Sequence, residues 1–121
     1  MPNTTLLTAT GYGSFLLAVG HALSGQDFLK LAQFKALPGI AFTCSTVGWY
    51  QGSAYLVLTG LLNLHWASKP GDLDESLNRA MAAVIVAIAW GSSAWYFRGG
   101  MKENGFITAA AGIIQGLAAL H

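Results

Sequence analysis

The chain has 121 residues, of which 54% are hydrophobic and only 9% charged; six Lys/Arg against five Asp/Glu leave a net charge of +1. An ordinary soluble domain carries about 25% charged residues, so this chain has too little charge to cover a water-facing surface. A net charge near zero excludes a basic field for nucleic acid, and high hydrophobicity excludes intrinsic disorder. The length fits a single domain over 1–121. One cysteine, Cys44, excludes an internal disulfide and any CxxC motif.

The eleven charges form three clusters: Asp27, Lys30 and Lys35; then Lys69, Asp72, Asp74, Glu75 and Arg79; then Arg98, Lys102 and Glu103. The uncharged stretches between and beside them are each long enough for a helix to cross a bilayer core of about 30 Å. In chain order, the first predicted span is 5–24; it lacks the basic start of a secretory signal. In 26–38, Phe28, Leu31, Phe34 and Leu37 recur every third residue between lysines. That pattern predicts a short helix or turn in the headgroup region, its lysines reaching to water. Pro38-Gly39 resets the chain for a second span, 41–66.

A polar turn follows, in which Asp72 or Asp74 is expected to cap the next helix. The third span is 77–97, apolar all the way round over 80–89, which a water-facing helix would not be. After the glycine-rich turn around 98–105 comes a fourth span, 105–120. Period-2 alternation is absent and Ala, Leu and Gly dominate these stretches, which argues against a β-barrel. The expected fold is therefore all-α: a multi-pass integral membrane four-helix bundle whose first partner is the lipid bilayer. Lys30, Lys35, Arg98 and Lys102 fall on one side and Lys69 and Arg79 on the other, which predicts that both termini are non-cytoplasmic.

Spans associate through small residues that let backbones approach. Gly48 and Gly52, and Gly112 and Gly116, form GxxxG pairs; Gly13 and Gly20, and the set Ala80, Ala83, Ala87 and Gly91, mark further candidate faces. Each set packs either the chain's own helices or a second copy.

Inside the predicted spans lies a layer of polar and aromatic residues. Gln51, Tyr55, Thr59 and Asn63 recur at i+4 in the second span and are expected to face other helices rather than lipid. One reading makes these amides interhelical glue, with Trp and Tyr as interfacial anchors. A second makes His21, Gln51, Tyr50, Tyr55, Trp90, Ser93 and Gln115 the lining of a pocket for a lipophilic small molecule. His21 is the only ionisable side chain of its span and the candidate acid/base. Gln51 and Tyr55 would donate hydrogen bonds, and Trp90 would form a wall able to stabilise positive charge. No Asp or Glu lies within any span to orient His21 in a triad or to carry protons as in a pump. The residues point to no metal site and no cofactor.

The stretches Thr10-Gly-Tyr-Gly-Ser-Phe-Leu-Leu-Ala-Val-Gly-His21, Leu37-Pro-Gly39 and Gly48-Trp-Tyr-Gln-Gly-Ser-Ala-Tyr-Leu-Val-Leu-Thr-Gly60 resemble the DoxX-like membrane proteins over the first half of the chain. The resemblance implies a small four-span bundle with a glycine-rich first span ending in a polar residue. That family takes its name from a membrane subunit of a thiosulfate:quinone oxidoreductase, and no catalytic residue carries over. Three functions are consistent with the residues. The first is an intramembrane binder of a lipophilic molecule, which as an enzyme would be a cofactor-independent isomerase or cyclase using His21. The second is a non-catalytic accessory subunit of a homo-oligomer or larger membrane complex. The third is a small channel or transporter, which the missing acids disfavour.

Overall fold

A computed structural model describes residues 2–121. Its regular elements are α-helical, with no strand among the described residues: α1 (Thr4–Phe28), α2 (Ala32–Lys35), α3 (Gly39–Ser68), α4 (Ser76–Arg98) and α5 (Lys102–Ala119), with a 3-10 turn over Pro70–Asp74. The four long helices overlap the four uncharged stretches, three of them taking in flanking charges such as Asp27, Arg79 and Lys102, and α2 falls in the segment where a short helix or turn was expected. Two of them, α1 and α4, are long and apolar enough to cross a membrane. The other two fall short of that measure for identifiable reasons. Gln51 and Asn63 interrupt α3, and α5 spends its first turn on Lys102, Glu103 and Asn104.

The chain divides into two compact units, one comprising the residues up to Thr10 together with Leu62–His121, the other Gly11–Leu61. In the first, α4 and α5 form an antiparallel hairpin. The turn between them is a Schellman motif: Met101 N donates to Tyr96 O at 2.9 Å and Gly100 N to Phe97 O at 3.1 Å. It requires Gly100, whose φ is +78°. Down the hairpin seam, Gly105 faces the Phe97 ring, Gly112 the Trp90 indole and Gly116 the Val86 side chain. Equal steps on both helices keep this register, so each glycine receives a large side chain from α4. Ser93 Oγ pins it, donating to Gly105 O at 2.7 Å.

The α3–α4 connection folds back on α3. Leu73 and Trp66 are buried there, and Trp66 Nε1 donates to Asn78 Oδ1 at 2.9 Å. Neither aspartate caps α4, contrary to expectation: the N-cap position is Glu75, with no side-chain cap bond. Asp72 is instead engaged by His65, with Nε2 and Oδ2 2.8 Å apart. At the start of α1, Asn3 Oδ1 accepts from Leu6 N at 2.9 Å as an N-cap, and Asn3 N donates to Ala118 O at 3.0 Å.

In the second unit, α1 and α3 run antiparallel and approach closely at Gly11 and Gly60, both buried. A Cβ at Gly60 would lie 2.8 Å from Phe15 Cε1 and 3.0 Å from the Gly11 carbonyl oxygen. Small residues at a crossing permit this backbone proximity. The link between the helices is fixed by aromatic contacts. Phe34 of α2 is buried and meets Phe28 and Phe42 edge-on, with centroids 5.4 and 5.2 Å apart.

Other expected packing faces carry no contact. A Cβ at Gly13, Gly20, Gly48 or Gly91 would have nothing within 4 Å, and Ala80, Ala83 and Ala87 are exposed with Gly91. The face of α4 that packs is the one bearing Ala82, Ile85 and Ser93. Large aliphatic side chains such as Ile40, Leu16 and Leu77 are exposed, at 83%, 76% and 69%, while Asn63 and Gln115 are buried, at 0% and 2%.

Candidate functional site

The polar residues singled out from the sequence fall into two clusters, one in each unit. His21 belongs to the second unit. Its Nδ1 lies 2.9 Å from Ser53 Oγ, a hydrogen bond whose direction follows the imidazole tautomer. Its ring stacks on the Trp49 indole, with centroids 4.3 Å apart and planes 11° from parallel. Trp49 stacks on its other side with Phe28 at 5.1 Å, so the indole is held between an imidazole and a phenyl ring. Its Nε1 donates to the His21 carbonyl oxygen at 2.8 Å.

This arrangement has a specific requirement at Gly25. A Cβ there would lie 2.5 Å from Trp49 Nε1 and 2.6 Å from Cδ1, so only glycine leaves room for the indole to reach His21 O. We expect Gly25→Val to cost about 1–3 kcal/mol, as overpacking does. Combined with Trp49→Phe, it should add much less than the sum of the single losses, because both break the same contact. Thermal unfolding of the two single variants and the double variant in detergent measures this; full additivity would contradict it.

The neighbours of Ser53 on α3 are placed differently. Tyr50 and Gln51 are exposed, while Tyr55 is half-buried. The i+4 stripe explains the spread. Helical residues advance about 100° each, so over the twelve positions from Asn63 back to Gln51 the stripe drifts by about 120°. The end bearing Asn63 is buried and the end bearing Gln51 is turned out.

The first unit holds the rest. Asn63 and Gln115 form a reciprocal amide pair: Asn63 Nδ2 donates to Gln115 Oε1 at 2.8 Å, and Gln115 Nε2 donates to Asn63 Oδ1 at 3.1 Å. Ser93 is occupied by the Gly105 carbonyl. Trp90 lies over Gly112 and is 53% exposed, so it packs the α4–α5 seam while presenting one face outward. A shallow depression of about 370 Å³ lies on the α4–α5 turn, lined by Gly100, Met101, Lys102, Glu103 and Asn104; no candidate residue lines it. Among the described residues no group of three or more His, Cys, Asp or Glu side chains is arranged to hold a metal ion.

Sequence reasoning missed Ser53, Trp49 and Gly25 as partners of His21. Trp49 stood only within the 48–60 stretch that carries the family resemblance, with no sign of its partner. Ser53 and Gly25 gave no local signal, because their role depends on which residues α1 and α3 bring opposite each other. The chain matches no protein-family model, no curated protein and no solved structure.

Proposed function

We propose that this chain is a four-span integral membrane protein acting as a non-catalytic packing component of a membrane assembly. Its α1, α3, α4 and α5 would each cross the bilayer, with both termini on the non-cytoplasmic side. The inverted polarity of the helices supports membrane insertion: Asn63, Gln115, Ser93 and Ser53 are buried while Ile40, Leu16 and Leu77 are exposed. In water the reverse arrangement is favoured, whereas in lipid unpaired polar groups are the costly ones. The interruption of α3 by Gln51 and Asn63 is compatible with a span, because Asn63 is paired inside the protein. The glycine spacing that resembles DoxX-like proteins belongs to the same proposal and adds no residue role.

The observation that carries the non-catalytic reading is that the buried polar side chains are used within the chain. Gln115 is taken by Asn63, Ser93 by Gly105 O and His21 Nδ1 by Ser53. The flat exposed face of Ala80, Ala83, Ala87 and Gly91 on α4 has the composition of a span-to-span contact. In native gels of a mild-detergent extract, the chain is expected in a complex larger than itself, and Ala87→Trp is expected to release it. A wild-type chain that migrates as a monomer would contradict this reading.

A second reading, an intramembrane acid/base or ligand site at His21, has one observation in its favour. With Nδ1 engaged by Ser53, the half-buried ring keeps Nε2 without a hydrogen-bond partner among the described residues, an arrangement suited to proton transfer. Mass spectrometry of small molecules co-purifying with wild type and His21→Ala separates the two readings. The packing reading expects identical lipids in both. A lipophilic molecule present only in the wild type would replace it with the second.

A further inference from the structure

Resting on the proposed membrane insertion, we infer that the α4–α5 turn is a binding surface for the headgroup of an anionic phospholipid. The cations are Arg98, which ends α4, and Lys102, which begins α5. Among the described residues neither forms an ion pair, and the adjacent Glu103 forms none with them. The Arg98 guanidinium lies 5.6 Å from the centroid of the Trp95 ring, a cation–π contact that holds the charge beside an indole. Trp95 is 75% exposed and one turn nearer the middle of α4, so an acyl chain alongside it would bring its phosphate to the level of Arg98.

Of these cations Lys102 lines the depression on the turn, together with Gly100, Met101, Glu103 and Asn104. The first turn of α5 has no side-chain cap, so its amides remain available as additional donors. Two unpaired cations beside the exposed Trp95 indole match a lipid with a charged head and apolar tails. Soluble anions would use only the cationic half of this surface. Cationic side chains near a membrane surface attract anionic lipid, and aromatic rings at this level anchor to the interface.

The test uses the full-length protein in nanodiscs of phosphatidylcholine and phosphatidylglycerol in equal amounts, with lipids retained after mild detergent extraction counted by native mass spectrometry. Wild type is expected to retain phosphatidylglycerol over phosphatidylcholine by about fivefold. R98Q/K102Q should fall to near parity, and K69Q/R79Q should keep the enrichment. Parity in the wild type, or equal loss in both double variants, would overturn the inference. Flotation with pure phosphatidylcholine vesicles keeps the two proposals apart. A chain that fails to float contradicts membrane insertion itself, whereas one that floats without phosphatidylglycerol preference contradicts only the headgroup site.

Discussion

Asn63→Leu is expected to destabilise the protein by about 2 kcal/mol, more than a typical surface change, because it strands a partner. Gln115 is 2% exposed and exchanges two hydrogen bonds with Asn63. Removing one amide leaves the other buried with its donor and acceptor unmet, and the desolvation cost of that amide is then uncompensated. Replacing both partners by apolar residues removes the problem rather than doubling it. Asn63→Leu combined with Gln115→Met should therefore recover at least half of the loss. Intramembrane hydrogen bonds average below about 1 kcal/mol in double-mutant cycles, so the single variant exceeds that average only if the surviving amide finds no new partner. Equilibrium unfolding in mixed micelles provides the measurement. A double variant as unstable as the single, or a neutral single, would refute the role of this pair.

Gly60→Ala is the second large effect, and its contrast with Gly48→Ala makes it informative. Both glycines lie within α3, where alanine is the better helix former by about 0.5–1 kcal/mol. At Gly48 the new methyl group meets nothing within 4 Å, so the intrinsic gain stands and the variant should be as stable as wild type or more so. At Gly60 the methyl group would lie 2.8 Å from Phe15 Cε1 and 3.0 Å from the Gly11 carbonyl oxygen. The ring can rotate aside; the carbonyl belongs to α1 and moves only with the helix. A net loss of about 1–3 kcal/mol is expected at Gly60. Loss at Gly48 with tolerance at Gly60 would mean that the helices meet along another face.

The glycine contrast also marks what the sequence could and could not convey. Helix positions were legible because charge is excluded from apolar segments, and the clusters at Asp27–Lys35, Lys69–Arg79 and Arg98–Glu103 bound them. The ends were less legible. α1 runs on to Phe28, and α5 begins at Lys102 rather than at 105, because polar residues at a helix end keep helical geometry while leaving the apolar stretch. Which small residues pack was not legible, since Gly48 and Gly60 look alike until a partner helix is given. Gln51 and Asn63 belong to one i+4 series, yet the helical drift turns one outward and buries the other. His21 was legible as an isolated imidazole in an apolar segment. Its setting between Ser53 and Trp49 was not, because it joins residues about thirty positions apart in sequence.

The central claim is that α3 and α5 cross the bilayer along with the more apolar α1 and α4. Single cysteines placed at Gln33, Asp74, Lys102 and His121 in a Cys44→Ser background, labelled in sealed vesicles with a membrane-impermeant maleimide, test it most directly. Four spans predict that positions 33 and 102 label from one side and positions 74 and 121 only from the other; position 121 labelling with 102 would mean that α5 does not cross. If α1 and α4 alone crossed, positions 33 and 74 would label together and 102 would be opposite, which would contradict the account.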